Sequence, residues 1–410
     1  MKMLNWAKQF SIFCFLDNHQ YKIGPHTVEC MLATGCRRSI QSSDKNSLDR
    51  LQLFINERSS WLFGHLSYDL KNEIQSQTTS HTDLLGFPDL FFFEPECLII
   101  LNEDAIIIEA DNPGLVFQSI IETEKIKTSF SPGMTGIQSR ISKAGYIDTV
   151  RKLQQHILRG DCYEINYCQE FYSDDAQIDP WAVHEKLSLV SPNPFSAFYK
   201  LKDKYLICAS PERFIRKEGS RILSQPIKGT AKRSAGEKEL DELNKRNLYE
   251  SRKDRSENVM VVDLVRNDLA KVCKEGTVQV DELYRVYSFP QVFQMISTIS
   301  GELKENCSFT DIIRATFPMG SMTGAPKRKV LNLIEQYEKS KRGIFSGALG
   351  YITPGQDFDF NVVIRSIIYN ETNNFLSYQV GSGITFYSNA ENEWEECILK
   401  ASAINKVLME

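Results

Sequence analysis

Hydrophobic residues change period several times along this chain, and each change marks an element. Trp61-Leu62-Phe63-Gly64 and Leu90-Phe91-Phe92-Phe93 are short aromatic runs that read as buried strands. Positions 97–108 read as a hairpin that turns at Asn102-Glu103-Asp104, and 126–140, rich in Ser, Thr, Pro and Gly, as a linker. At 142 the period becomes helical. Ser142 stands at a capping position, Tyr146, Val150, Leu153 and Ile157 share one face, and Gly160 ends the run, which predicts a helix over 142–159. A strand over 163–172 follows, and 195–227 alternates as strands broken by Ser210-Pro211 and Lys217-Glu218-Gly219-Ser220. A polar helical run from about 236 leads into a helix over 251–272 with Val261, Leu264, Val265, Leu269 and Val272 on one stripe. The rest reads as a strand over 277–287, a helical segment over 291–297, and helices over 310–316 and 325–338. Strands over 346–353, 358–369 and 375–380 come next, then a glycine turn at 381–383 and a final helix over 391–408.

So many strands exceed what a helix bundle needs, and paired hairpins argue against a doubly wound parallel sheet. With 410 residues the chain is long enough for two or three domains or one large unit. We expect a β-rich N-terminal lobe over 1–125 packed into the same body, a linker over 126–140, and a motif-dense domain over 141–410.

Composition narrows the function classes. A net charge of −5 without a long basic run argues against nucleic-acid binding, while a local cationic cluster still allows a small anionic ligand. No run of 18 apolar residues occurs, so no membrane span is expected, and 1–16 lacks the pattern of a signal peptide. The ten cysteines form no C-x-x-C pair; they are expected to be free thiols of a reducing cytoplasm rather than zinc ligands.

Five segments carry candidate chemistry. In Gln225-Pro226-Ile227-Lys228-Gly229-Thr230 a lysine sits between a proline that fixes one backbone angle and a glycine that permits close approach, so its amine can be aimed. Ser210-Pro211-Glu212-Arg213-Phe214 precedes it. Asp254-Arg255-Ser256-Glu257-Asn258 places Glu257 near a helix start; read alone, such a glutamate is a solvated charge. Gly320-Ser321-Met322-Thr323-Gly324-Ala325-Pro326-Lys327 fails the phosphate-loop pattern, because Ala and Pro separate the glycine from the lysine, and reads as a tight turn in a pocket wall. Finally, Gly381-Ser382-Gly383-Ile384 is followed by Glu393, Glu395 and Glu396, with Lys400 one helical turn further on. Between the last two segments, Arg365 interrupts an apolar run, where its fork either grips a carboxylate or forms a structural ion pair.

In this order the five segments resemble the chorismate-utilising enzyme family over about 140–410. A weaker likeness over the first 130 residues rests on Phe63-Gly64-His65-Leu66-Ser67-Tyr68-Asp69. Within that family they are most similar to the branch that makes 4-amino-4-deoxychorismate on the route to 4-aminobenzoate and folate. The resemblance implies an α+β fold, a two-sheet β core flanked by helices, with 141–410 as the chorismate-binding catalytic domain. It implies that Glu257 and Glu396 hold one Mg²⁺, a cation that prefers oxygen ligands and is often held by one or two carboxylates. Arg365, Gly381, Ser382, Gly383 and Lys400 are implied to bind substrate, with Gly229 and Thr230 as further donors. Glu212 is implied to be the general acid for the departing C4 hydroxyl. Lys228 is implied to attack ring C2 before ammonia adds at C4. Anthranilate synthases, the nearest alternative, have alanine at that place, so Lys228 disfavours them; a non-catalytic regulatory relative is the second alternative. An attacking amine must be neutral, and we expect burial and a nearby cation to lower the Lys228 pKa from about 10.4. Ammonia is implied to come from glutamine through a separate amidotransferase subunit. Two positions depart from the family pattern: Gln294 stands where histidine is frequent, and Glu164 where ammonia-using relatives commonly have glutamine.

Overall fold

Alternation along single strands builds this molecule. In Phe195–Leu201, Ala197, Tyr199 and Leu201 join one apolar cluster while Phe198 joins another; in Lys204–Ser210, Leu206 and Cys208 part in the same way from Tyr205, Ile207 and Ala209. Successive side chains of a strand point to opposite faces, so these strands are covered on both sides. The computed structural model describes residues 2–21, 28–43, 45–124, 136–234, 236–289 and 292–409.

Two antiparallel sheets result. The larger has eleven strands among the described residues. Its ordered path runs from Gly324–Ala325 through Glu164–Ser173, Phe375–Ile384, Ser366–Asn370, Lys204–Ser210, Phe195–Leu201, Ile12–Asp17, Cys30–Thr34 and Cys97–Leu101 to Ile106–Glu109. The second has ten, from Ile227–Lys232 through Val292–Glu302, Arg221–Gln225, Arg213–Glu218, Phe358–Val362, Ala348–Ile352, Leu62–Leu66 and Leu90–Glu94 to Arg38–Ser42. One core lies between the sheets. Another lies on the outer face of the larger sheet under the helices Lys143–Leu158, Pro180–Val190, Lys327–Tyr337 and Ala390–Met409. This is the two-sheet α+β core flanked by helices that the resemblance implied. Strands from the first 110 residues enter both sheets.

The helix over 142–159 forms at Lys143–Leu158, with the Ser142 hydroxyl accepting from Gly145 N as its cap. Ser251 caps Arg252–Ala270 by accepting from Asp254 N. Of the linker over 126–140, residues 126–135 lie outside the described residues, and Gln138–Ser139 pairs with Glu164–Ser173.

Three readings need correction. The segment over 291–297 is not helical; Val292–Glu302 is a strand, and its side chains from Phe293 to Ser300 are buried on both faces, which hides the alternation. The single strand over 358–369 is two strands in different sheets, Phe358–Val362 and Ser366–Asn370, and Arg365 lies in the connection with a left-handed backbone (φ +53°). The glycine turn at 381–383 is not a turn but the end of the strand Phe375–Ile384, with Gly381, Ser382 and Gly383 opposite Cys168, Tyr167 and Asn166. The helices Ser47–Glu57, Pro113–Glu122 and Pro180–Val190 were not expected, although Asn112-Pro113 and Asp179-Pro180 set a capping residue before a proline in the first turn.

Candidate active site

A cavity of about 840 Å³ opens where the edge strand Ile227–Lys232 of the smaller sheet faces the strand Phe375–Ile384 of the larger. Two helices close it: Arg252–Ala270 contributes Glu257, and Ala390–Met409 contributes Glu396 and Lys400. Lys228, Glu212 and Arg365 complete its chemistry. The fold thus brings together groups that are up to 188 positions apart in sequence (Glu212 to Lys400).

Lys228 reaches into this space and pairs with Glu164, Nζ to Oε1, at 2.8 Å. Its aim depends on two glycines. Gly229 has φ +93°, where a side chain would be strained, and a Cβ there would sit 3.0 Å from Asp254 Cβ. A Cβ on Gly383 would lie 2.9 Å from both Lys228 Nζ and Glu164 Oε1. Burial works against the charged amine, yet Glu164, Glu257 and Glu396 outweigh it, and the pKa of Lys228 is raised. This reverses the sequence expectation: three carboxylates, not a cation, dominate the surroundings, and the resting amine is protonated. Glu212 is buried, and burial pushes its carboxyl up to about 7, although Ser321, Lys228 and the Ile227 amide pull the other way.

The second cluster is acidic. Lys253 Nζ lies 2.7 Å from Glu393 Oε1, 3.4 Å from Glu396 Oε2 and 3.7 Å from Glu257 Oε1, so three carboxylates share this one lysine. Burial raises Glu257 to about 8 despite Lys228 and Lys253. For Glu396, burial alone would raise the pKa, but Lys400 and Lys253 hold it down to about 2. Glu257 Oε1 and Glu393 Oε2 are buried and have no hydrogen-bond partner. Of the pair expected to hold a divalent ion, Glu257 thus has an unmatched oxygen, while the oxygens of Glu396 face Lys400 and Lys253; two carboxylates from facing helices suit a hard cation that keeps several waters.

Opposite them lies positive charge. Arg365 donates to the Lys400 carbonyl at 3.1 Å, and among the described residues no carboxylate forms an ion pair with its guanidinium. Burial lowers its pKa to about 10, with Glu396 opposing. A left-handed backbone at a non-glycine residue is uncommon and clusters at ligand sites. Lys400 pairs with Glu396 at 2.7 Å and donates to the Gly381 carbonyl at 2.9 Å. Gly381 and Gly383 line the cavity, but Ser382 does not. Strand alternation turns Ser382 to the other face, where its hydroxyl meets Tyr146 Oη at 2.9 Å. A substrate contact through the Ser382 side chain is therefore ruled out by geometry. Thr230 lines the cavity in register with Gln294, whose Oε1 is buried without a partner.

Sequence reasoning missed Lys253, although its i,i+4 spacing to Glu257 was a usable signal. Asn166 also lines the cavity, and nothing local marked it.

Comparison with known proteins identifies the family. The model of the chorismate binding enzyme family matches residues 17–406. The chain belongs to that family. Aminodeoxychorismate synthase component 1 of Salmonella typhimurium is 38% identical over 267 residues, 65% of this chain and 58% of that protein. The protein of the same name from Bacillus subtilis is 30% identical over 361 residues, 84% of this chain and 76% of that protein. The aligned region thus spans little more than half of the Salmonella relative. The crystal structure of anthranilate synthase component I from Streptococcus pneumoniae superposes with a TM-score of 0.79 over 95% of this chain and 94% of that one; at 24% identity it bears on the fold alone. Among the described residues no helix is long and apolar enough to cross a membrane.

Proposed function

We propose that this chain converts chorismate and ammonia into 4-amino-4-deoxychorismate, and that ammonia reaches it from glutamine through a partner amidotransferase subunit. The observation that carries the reading is Lys228, an amine inside the cavity with a protonatable carboxyl, Glu212, on the same wall. The similarity to aminodeoxychorismate synthase component 1 of two bacteria supports it.

Chorismate is a dianion, and its ring lies between the two charge clusters. Arg365 offers a planar fork to one carboxylate. Glu257 and Glu396 would hold Mg²⁺, which supplies positive charge for the other. Glu212, half protonated near pH 7, gives its proton to the C4 oxygen, and the C4–O bond breaks to release water. Lys228 must lose a proton before it can bond to ring C2, and Glu164 at 2.8 Å is the acceptor. Ammonia then bonds to C4 while the C2–Nζ bond breaks and its electron pair returns to the lysine, which takes its proton back from Glu164. The proton shed by the new ammonium group restores Glu212, so the balance is chorismate plus ammonia to product plus water.

The test is a product assay with chorismate, ammonium and Mg²⁺. We expect 4-amino-4-deoxychorismate by mass and no pyruvate. Fluorescent anthranilate with one equivalent of pyruvate overturns the reading in favour of an anthranilate synthase. No chorismate consumption, even with a glutamine-hydrolysing partner, overturns it in favour of a non-catalytic relative.

A further inference from the structure

Single exposed apolar side chains are ordinary on a protein surface, but a contiguous patch of them marks a contact. Such a patch lies where two strands that wall the cavity leave the larger sheet. Tyr163 is 68% exposed and Tyr387 85%, and Leu158 and Phe386 are exposed with them. The pairing of Glu164–Ser173 with Phe375–Ile384 ends at Ile165 opposite Ile384, so Tyr163 and Phe386 each lie two residues beyond the last pair, on neighbouring strands. The rings of Phe386 and Tyr387 meet edge to face at 5.1 Å. Gln154 on the helix Lys143–Leu158 donates to the Phe386 and Ser388 carbonyls, at 3.4 and 2.7 Å, and Leu158 stands one turn further along that helix.

The helix Ala390–Met409 starts beside this patch and runs along the cavity. Its far half forms the mouth, where the lining residues Leu399, Ser402 and Lys406 are exposed together with Leu189 and Lys232. Lys406 lies ten residues beyond Glu396, about 15 Å along the axis. The patch sits at the opposite end. Gly383, where a Cβ would stand 2.9 Å from Lys228 Nζ, is three residues from Phe386, a span of at most about 11 Å. The geometry points to this patch as the seat of the glutamine-hydrolysing partner, which delivers ammonia at the Lys228 end while the mouth stays free for chorismate. This rests on the aminodeoxychorismate reading above and deepens it. A second apolar surface, with Ile106, Ile107, Leu115 and Ile121 exposed, lies at the far end of the same sheet. The strand Ile106–Glu109 is eight positions from Glu164–Ser173 in that sheet, about 38 Å at about 4.8 Å per strand. Ammonia released there meets bulk water and takes up a proton, which occupies the lone pair that must bond to carbon. Distance therefore selects the patch beside the cavity.

The double variant Leu158→Asp, Tyr387→Asp puts two charges into the patch at side chains that are exposed in the chain alone, so its melting temperature should match wild type. Tyrosine is enriched among the residues that dominate interfaces, and a charge buried there without a counter-charge is costly. We expect the Kd for the purified glutamine-hydrolysing partner, read by titration calorimetry, to rise roughly 30-fold or more, and the glutamine-dependent rate to fall with it. Turnover with ammonium salts should stay within about twofold. Leu115→Asp, on the far surface, should leave the partner's Kd unchanged. An unchanged Kd in the double variant overturns the seat, and so does a 30-fold loss in Leu115→Asp. Self-association of wild type that the double variant abolishes, with partner affinity intact, assigns the patch to a second copy and overturns it too. The two readings fail separately. Wild type that makes no 4-amino-4-deoxychorismate from ammonium fails the functional reading, whereas wild type that makes it yet forms no complex with the partner fails the docking surface alone.

Discussion

Lys228 and Glu212 test the chemistry at single positions. Lys228→Ala leaves Arg365, Lys400 and the acidic cluster in place, so chorismate binding should hold within about threefold while aminated product falls roughly 100-fold or more, about 3 kcal/mol of transition-state stabilisation. Steady-state turnover alongside equilibrium binding checks this, and undiminished turnover would exclude the covalent step. Glu212 makes a different prediction, about stability. Its folded pKa, about 7, exceeds the ordinary 4.5 because burial disfavours its charge. Folding therefore takes up a proton between those values, and this contribution to stability is lost as pH rises from about 4.5 to about 7, then stays constant. Glu212→Gln removes the term. The variant should match wild type near pH 4.5 and be more stable by roughly 3 kcal/mol near pH 8, though catalytically impaired. Chemical denaturation at the two pH values measures it; equal differences at both would show that folding does not raise the Glu212 pKa. The roles of these two residues were implied by the resemblance of whole segments and by no local signal: taken alone, Lys228 reads as a surface lysine near a turn and Glu212 as a turn glutamate beside Arg213. The direction of the Lys228 shift was not legible either, because Glu164, Glu257 and Glu396 come from three remote segments.

Elements decide which glycine substitutions are tolerated. Gly381 and Gly383 read as a turn because glycine is the commonest turn residue, whereas within a strand it marks close approach of a neighbouring chain or ligand. The neighbours differ. A Cβ at 381 would meet the Tyr167 carbonyl at 2.7 Å and Cys168 Sγ at 2.5 Å, and backbone cannot swing aside; at 383 it would meet only side-chain ends. Gly381→Ala should therefore cost about 1–3 kcal/mol of stability, and Gly383→Ala should fold normally but lose turnover as the Lys228–Glu164 pair is pushed away. Thermal melts beside kinetics separate the two, and a fully active Gly383→Ala would contradict the placement of that pair. The two helices that carry the acidic cluster give a further test. Glu257 Oε1 is buried without a hydrogen bond, only Lys253 lying near it at 3.7 Å, so a divalent ion bound there removes an unfavourable charge balance. Mg²⁺ should raise the melting temperature of wild type, and Glu257→Gln should abolish that rise. Capped helices such as Arg252–Ala270 were legible because Ser251 and the apolar stripe are local; the strand Val292–Glu302 was not, because burial on both faces erases the period of two.

At the scale of the whole molecule, the proposed need for an outside source of ammonia can be argued from how the cysteines are housed. Glutamine hydrolysis by a thiol needs a thiolate, which forms where positive charge or a helix N-terminus lowers the pKa. All ten cysteines here are free, and burial raises every one of their pKa values; even half-buried Cys36 and Cys307 are raised. Most sit inside the two cores as small apolar side chains, Cys14, Cys168 and Cys208 between the sheets and Cys30, Cys97 and Cys397 under the helices. A fold that spends its thiols on packing has no nucleophile left for an amide. The chain alone should therefore turn over chorismate with ammonium salts and show no activity with glutamine, and a glutamine-hydrolysing partner should restore the glutamine-dependent rate. The dependence on pH carries the sign of free ammonia: with ammonium as donor, the rate should climb with pH as ammonia is released from its conjugate acid, until loss of the Glu212 proton above about 7 cancels the gain and the profile flattens. With glutamine and partner, ammonia arrives already neutral, so the rise should vanish and a fall above about 7 should appear in its place. Rate profiles for the two donors, taken on the same preparation, measure this; glutamine-dependent turnover by the chain alone would contradict it.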